Sequence, residues 1–417
     1  MSRPQLLYVT HRVPFPPNRG DRIRTYHVLR HLSEKADVTL ACLSEETVEP
    51  STVEALNRLC RRVEIVPVER KWRWVRAGLS FLRGRTITEG AFASPRLRAA
   101  LQRLASDVRF DSVMTSSSAL GPYLSVPALS GVPAWIDLID VDSQKWVDYA
   151  AAHRGPKAWL YGIEGRRLRR LECELAAMTR GLFVVSEAEA ELFRRFCPGG
   201  PIQAVPNGVD VDYFAPQSVP TRNDCVFVGA LDYLPNIDAA VYFCRDVWPE
   251  IHRRCPDSRM KLVGREPAPA VRDLARIPGV DVVGTVPDVR PNVASAAVVV
   301  VPLRIARGVQ NKVLEAMAMG KPVITTPLTL KGLNVTPGVH CLAAETPSQW
   351  VDAVLSLYND AELRTALGDA AAFHVQTHHR WASCLAAMDA VVGGHAESIG
   401  PFVGLPECGL RGHAIRE

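Results

Sequence analysis

Short apolar stretches alternate along most of the chain with longer ones in which apolar residues recur every three or four positions, the pattern of strands alternating with amphipathic helices. The pattern predicts strands at Gln5 to His11, Asp37 to Leu43, Val63 to Val68, Phe110 to Thr115, Val132 to Leu138 and Gly181 to Ser186. Leu182-Phe183-Val184-Val185 has no polar alternate, so it reads as a strand buried on both faces, as in parallel sheets. A second series starts at Asp224, with strands at Cys225 to Gly229, Met260 to Gly264, Val280 to Val286, Ala297 to Leu303, Val323 to Thr326 and Cys341 to Ala344. The fold class is therefore α/β, with two doubly wound, Rossmann-like units. Turn residues cluster between the series, in Val205-Pro206-Asn207-Gly208-Val209-Asp210 and Phe214 to Pro220, which predicts a linker over 206–222 between domains 1–205 and 223–375. Predicted helices after Pro347 run to about Val392, and the glycine-containing stretch 393–417 is expected to be a flexible tail.

Composition narrows the class. A chain of 417 residues exceeds one ordinary core, and 47% hydrophobic with 22% charged residues excludes disorder over most of its length. The longest apolar run, Ala294 to Leu303, falls well short of the ~20 residues that span a bilayer. The start, Met1-Ser2-Arg3-Pro4-Gln5, carries no export pattern, so a cytoplasmic location is expected. Ten cysteines scattered from Cys42 to Cys408 form no C-x-x-C pair and read as apolar core fillers, with no metal site. A net charge of +5 does not argue for a nucleic-acid partner.

What matters is where the cations sit. After the strand ending at Leu303 comes Arg304-Ile305-Ala306-Arg307-Gly308-Val309-Gln310-Asn311-Lys312-Val313-Leu314-Glu315-Ala316-Met317-Ala318-Met319-Gly320-Lys321-Pro322-Val323. A cationic glycine loop thus leads into a helix with Asn311 as its expected cap and Gly320 as its stop. A helix N-terminus flanked by Arg304, Arg307 and Lys312 suits a diphosphate. Lys312 and Glu315 share a helix face, so a cation and a carboxylate can reach one ligand, and a nucleotide sugar offers phosphates to the first and ribose hydroxyls to the second. The same spacing serves a solvated surface ion pair, and spacing alone divides the two readings evenly.

Val313 to Val323 resembles the most diagnostic stretch of family 4 glycosyltransferases, retaining enzymes of the GT-B fold. The resemblance covers roughly residues 5 to 390 and includes Val205-Pro206-Asn207-Gly208-Val209-Asp210 and the N-terminal Tyr8 to Arg24, with Gly20 in the loop after the first strand. In detail, with Asp137 to Trp146 and Arg304 to Lys312, it looks most like the sugar transferases of PEP-CTERM/exosortase exopolysaccharide loci. It implies two domains facing a cleft, the first for the acceptor and the second for the donor, with a C-terminal helix at 376–392 returning to the first. Glu315 would be the second glutamate of the family's E-x7-E pair, which holds the ribose, while its first glutamate is replaced here by Arg307. Relatives often carry Arg and Lys where this chain has Ala230 and Pro235, so diphosphate charge is assigned to Arg304, Arg307 and Lys312, with Gly308, Asn311, Gly229 and Gly20 expected near the donor.

By the same resemblance, transfer retains configuration, needs no metal or cofactor beyond the nucleoside-diphosphate sugar, and lets the leaving phosphate help deprotonate the acceptor. His11 is the candidate for contact with the reacting centre, although a lone histidine there equally suits a structural role. Asp140-Val141-Asp142 has D-x-D form but lies in the acceptor half, so Asp140 and Asp142 are assigned to acceptor binding or helix capping. A stripe of Trp72, Val75, Leu79 and Leu82 flanked by Lys71, Arg73, Arg76, Arg83 and Arg85 suits an anionic membrane surface, placing the protein on the inner face of the plasma membrane. A similar stripe, Leu168, Leu171, Leu175 and Met178 among arginines, is expected to pack on the domain's own sheet. The reading is a glycosyltransferase of hexosyltransferase type acting on a lipid-linked or saccharide acceptor. Alternatives are a nucleotide-sugar epimerase of the same fold and a non-catalytic binding or scaffold subunit.

Overall fold

The computed structural model describes residues 2–18, 20–305, 310–330 and 333–393. Its first half is built on β1 (Gln5–Thr10), β2 (Asp37–Ser44), β3 (Arg62–Pro67), β4 (Ser112–Ser116), β5 (Ala134–Ile139), β6 (Gly181–Val184) and β7 (Ile202–Ala204). These form one parallel sheet in the order β3-β2-β1-β4-β5-β6-β7, with Leu6 opposite Val38 on one side and Ser112 on the other. The second half carries β8 (Arg222–Val228), β9 (Met260–Val263), β10 (Val280–Gly284), β11 (Ala296–Val301), β12 (Val323–Thr325) and β13 (Leu342–Ala343), in the parallel order β10-β9-β8-β11-β12-β13. Every residue of β11 is buried, which is why it reads as an unbroken Ala-Val run.

In each sheet the strand order reverses at one place, between β1 and β4 and between β8 and β11. The chain leaves such neighbouring strands in opposite directions and opens a crevice at their carboxyl ends.

Two features depart from the expected pattern. The edge strand β7 is only three residues long and follows Pro201, too short to carry a periodicity. The expected returning helix 376–392 is broken: a helix runs Ala361–His378, the chain turns at His379 and Arg380, and three short helices follow from Trp381 to Gly393. The turn lets Arg380 bridge to Val209 of the linker, with the Val209 N–H donating to the His379 carbonyl at 2.7 Å. Beyond it Trp381, Leu385, Met388 and Val391 join the core of the first half beside Leu6, Tyr8 and Val28. Trp381 stacks on His27 at 4.4 Å, and Asp389 pairs with His31 at 2.8 Å. The nine cysteines among the described residues are free, and the expected tail from residue 394 lies outside those residues.

The two basic amphipathic helices differ. In Pro156–Met178, Leu168, Leu171 and Leu175 pack under β5 and β6. In Arg70–Leu82 the stripe stands outside the core: Trp74 is 72% and Leu82 82% exposed, with Trp72, Val75 and Leu79 also open. No helix among the described residues is long and apolar enough to cross a membrane.

Candidate active site

At the second switch point, β11 ends and the helix Asn311–Ala318 begins. The helix buries Val313, Leu314, Ala316 and Met317 in the core, and this leaves Lys312 and Glu315 on its other side, lining a groove with Phe214, Val228 and Val289. Gly320 at φ +67° ends it, its N–H bonded to Met317 and that of Lys321 to Ala316, the paired bonds that close a helix on a left-handed glycine. The expected cap is corrected: Gln310 occupies the N-cap position without a side-chain cap bond, and Asn311 is the first helical residue. Its carboxamide oxygen instead accepts from Asn207 of the linker at 3.2 Å.

Lys312 is held by sequence-distant partners. Its ammonium donates to the Asn236 oxygen at 2.6 Å and lies 4.7 Å from the centre of the Phe227 ring, while Asn236 is anchored to the Ala230 carbonyl. A Cβ on Gly229 would stand 2.8 Å from the ammonium, so the glycine makes room for this contact. Burial lowers Lys312 to about 8 against the pull of Glu315, and burial raises Glu315 to about 7 against the pull of Lys312. The arrangement is therefore not a solvated ion pair: Lys312 hydrogen-bonds an amide, and each charge is expensive until a ligand answers it.

Arg304 is placed differently. Its guanidinium pairs with Asp238, Nε to Oδ2 at 3.0 Å, and lies over the Tyr242 ring at 4.8 Å. It is thus committed to a carboxylate of the helix Leu234–Tyr242, eight positions after Ala230. Arg307 and Gly308 lie outside the described residues. Gly20 opens the helix Gly20–Ser33, with open space within 4 Å of where a Cβ would stand.

The first switch point gathers the other candidates. His11, just past β1, places Nδ1 3.0 Å from the Ser116 hydroxyl at the end of β4. Asp142 accepts from the Ser118 hydroxyl at 2.7 Å and from Ser117 at 3.5 Å. Burial raises its carboxyl above the usual range, opposed by Ser118 and by the charges of Lys145 and His11. The helix N-cap is Val141, so Asp142 is not the cap: it sits in the first turn with its carboxylate turned to Ser118. Two carboxylates hold this segment from behind, Glu189 accepting the Val141 N–H at 2.8 Å and Glu172 the Ser143 N–H at 3.0 Å.

The backbone here is strained. Ile139, a β-branched residue, has φ +71°, and the Asp140 N–H closes a three-residue turn onto the Leu138 carbonyl at 3.0 Å. Ser117, just past β4, has φ +73° and donates its N–H to the Asp137 carbonyl at 2.7 Å. Such outliers cost of order 1–3 kcal/mol each and concentrate at functional sites. The turn leaves Asp140 exposed, close enough to Tyr233 of the second half to raise that phenol, after burial and Tyr149. Beside His11 lies a polar pocket lined by Arg12, Arg22, Glu45 and Glu46; Glu45 pairs at 2.8 Å with Arg73 of the exposed Arg70–Leu82 helix.

The structure thus brings Lys312, Glu315 and Gly229 together at one switch point and His11 and Asp142 at the other. Asn236, Asp238, Ser116 and Ser118 were missed. Pro235-Asn236-Ile237-Asp238 is a visible anomaly in the sequence, whereas single serines after a strand carry no signal. Among the described residues no group of three or more His, Cys, Asp or Glu side chains is arranged to hold a metal ion.

Residues 10–208 match the family model described as a glycosyl transferase 4-like domain, and residues 222–360 match that described as glycosyl transferases group 1. Among solved structures the chain is similar to HepE of Anabaena in complex with UDP, with 13% identity and a TM-score of 0.67 over 94% of this chain and 100% of that one. It is also similar to sucrose-phosphate synthase of Thermosynechococcus elongatus, with 16% identity and a TM-score of 0.65 over 92% and 97%. WaaG, a glycosyltransferase involved in lipopolysaccharide biosynthesis, gives 16% identity and a TM-score of 0.63 over 93% and 100%. Among curated proteins, none matches the sequence.

Proposed function

Because the chain belongs to the GT-B glycosyltransferases, we propose that it moves a sugar from a nucleoside-diphosphate sugar to a lipid-linked or saccharide acceptor, with retention and without a metal, in exopolysaccharide biosynthesis. The observation that carries this reading is the pair Lys312 and Glu315 on one helix at the second switch point, beside an apolar groove. A diphosphate would satisfy the Lys312 ammonium and lie at the positive end of the helix dipole, and ribose hydroxyls would satisfy Glu315. As the sugar–phosphate bond breaks, negative charge grows on the diphosphate, and a fixed cation with a helix N-terminus stabilises it without rearrangement. HepE of Anabaena, similar in fold, is known in complex with UDP and with UDP-glucose.

The acceptor is assigned to the first switch point. Asp142, Asp140 and His11 offer a polyol hydroxyl acceptors and an imidazole, opposite the donor groove. The exposed tryptophans of Arg70–Leu82 would rest in an anionic membrane interface on the cytoplasmic side, and the Arg73–Glu45 pair ties that helix to the pocket beside His11. An acceptor borne by lipid then reaches the cleft without leaving the membrane. The exopolysaccharide role rests on the detailed likeness at Asp137 to Trp146 and Arg304 to Lys312. The test is incubation of the purified protein with a nucleotide-sugar library and membrane lipid extract, followed by mass analysis. A product heavier than an acceptor by one glycosyl unit is expected; epimerised nucleotide sugar without transfer, or no nucleotide binding at all, would overturn the reading.

A further inference from the structure

A fully buried charge of the first half, Arg24, connects to the donor helix through a single amide. Arg24 is fully buried and grips Asp137 at the end of β5 with two bonds of 2.8 Å. It also reaches the domain boundary, where Nη1 donates to the Val205 carbonyl at 2.9 Å and to the Asn207 side-chain oxygen of the linker at 3.0 Å. A guanidinium only donates, so Asn207 must turn its oxygen to Arg24 and its NH2 the other way. That NH2 meets the side-chain oxygen of Asn311 at 3.2 Å, across the domain boundary, on the first residue of the helix that carries Lys312 and Glu315.

Asn207 itself has little freedom. It is 8% exposed, and its neighbour Gly208 lies so close to the returning segment that a Cβ would stand 2.6 Å from the Trp381 nitrogen. The Arg24 pair is equally fixed, since a buried guanidinium parted from its carboxylate would be strongly destabilising. Asp137 also lies two residues before Ile139, whose strained turn aims the Asp140 to Asp142 segment. One buried ion pair therefore stands behind the acceptor cluster and, through Asn207, behind the start of the donor helix.

We propose that Asn207 is a positioning residue: its hydrogen bond to Asn311 latches the start of the 311–318 helix to the Arg24–Asp137 pair, holding Lys312 and Glu315 in fixed register with the acceptor cluster. The role in transfer rests on the function proposed above; the latch itself does not. Group transfer between two substrates held by different domains depends on such register, where a misplacement of about 1 Å can cost 10²-fold. Neither asparagine needs to touch the sugar for this effect.

Asn207→Ala and Asn311→Ala both break the contact and leave Arg24 with Asp137 and Val205. In the ligand-free protein each is expected to speed hydrogen exchange of the 311–318 amides about tenfold, with β5 unchanged. In the transfer assay each lowers kcat about tenfold with the donor KM within twofold, and the double variant is no worse than either single one. Asn207→Asp still accepts from Arg24, and Asn311 can turn its amide round to donate, so this variant returns to within about threefold of the wild type. The latch is overturned by unchanged exchange in both alanine variants, by additive losses, by an effect confined to the donor KM, or by an Asn207→Asp as impaired as Asn207→Ala. If transfer is absent from the wild type, the proposed function fails while the exchange data still decide the latch.

Discussion

The two switch points hold their chemistry by opposite means. In the second half, Lys312 and Glu315 lie one helical turn apart, set in place by the side of the helix that the core leaves uncovered and steadied by one amide, Asn236. In the first half, His11, Ser116, Ser118 and Asp142 come from the ends of β1, β4 and β5, and the backbone must adopt φ +71° at Ile139 and +73° at Ser117 to bring them in. The donor side thus stores its cost as charges kept from full solvation, and the acceptor side adds backbone strain to the burial of Asp142. A nucleoside diphosphate carries the same groups whatever sugar it bears, so under the proposed function one rigid helix would serve it. An acceptor hydroxyl must be met from several directions at once, which one helix cannot provide.

The sharpest way to break this comparison is to remove the carboxylate on the donor side. Glu315→Ala should weaken nucleoside-diphosphate binding by at least about 10²-fold, since two hydrogen bonds to a charged group, each of about 1.5–3 kcal/mol, would be lost. Calorimetry with a panel of nucleotides reads it directly. Unchanged affinity would remove the ribose from Glu315 and leave the groove without a donor role.

A smaller effect is expected on the acceptor side, where under the proposed function Asp142 would share its work with His11 and the serines. Asp142→Asn keeps the shape and an acceptor for Ser118 but loses the charge, and should lower kcat/KM for the acceptor about tenfold. Nucleotide affinity should stay within twofold. A variant that weakened the nucleotide and spared the acceptor would reverse the assignment of the two switch points.

The difference between the sites also explains what the sequence disclosed. Both parallel sheets and the strands flanking each switch point follow from runs such as Ala296 to Val301, and β7 escapes because three residues after a proline have no period. The donor pair is legible because one helix carries it within four residues. Asn236, by contrast, lies 76 residues from Lys312, and Ser116 lies 105 from His11, separations bridged only by folding. The broken returning helix hides for a related reason: the turn at His379 is set by pairing with Val209, far away in the chain. The stripes of Arg70–Leu82 and Pro156–Met178 look alike in sequence, and only the sheet beneath the second separates them.

A gentler perturbation sharpens the donor side alone. Under the proposed function, nucleoside-diphosphate binding would want Lys312 protonated and Glu315 ionised, and burial has moved the two toward each other, to about 8 and about 7. Above about 8 Lys312 loses its proton, and below about 7 Glu315 gains one, so affinity should peak in a narrow window between them and fall severalfold within one pH unit on either side. Calorimetry from pH 6 to 9 at constant ionic strength measures both limbs. Lys312→Arg should abolish the alkaline limb, because a guanidinium keeps its charge throughout, and should leave the acid limb at Glu315 in place. A flat profile in the wild type would mean that the pair is already solvated when the nucleotide arrives. The acceptor side would then be the one place where the fold spends stability on function.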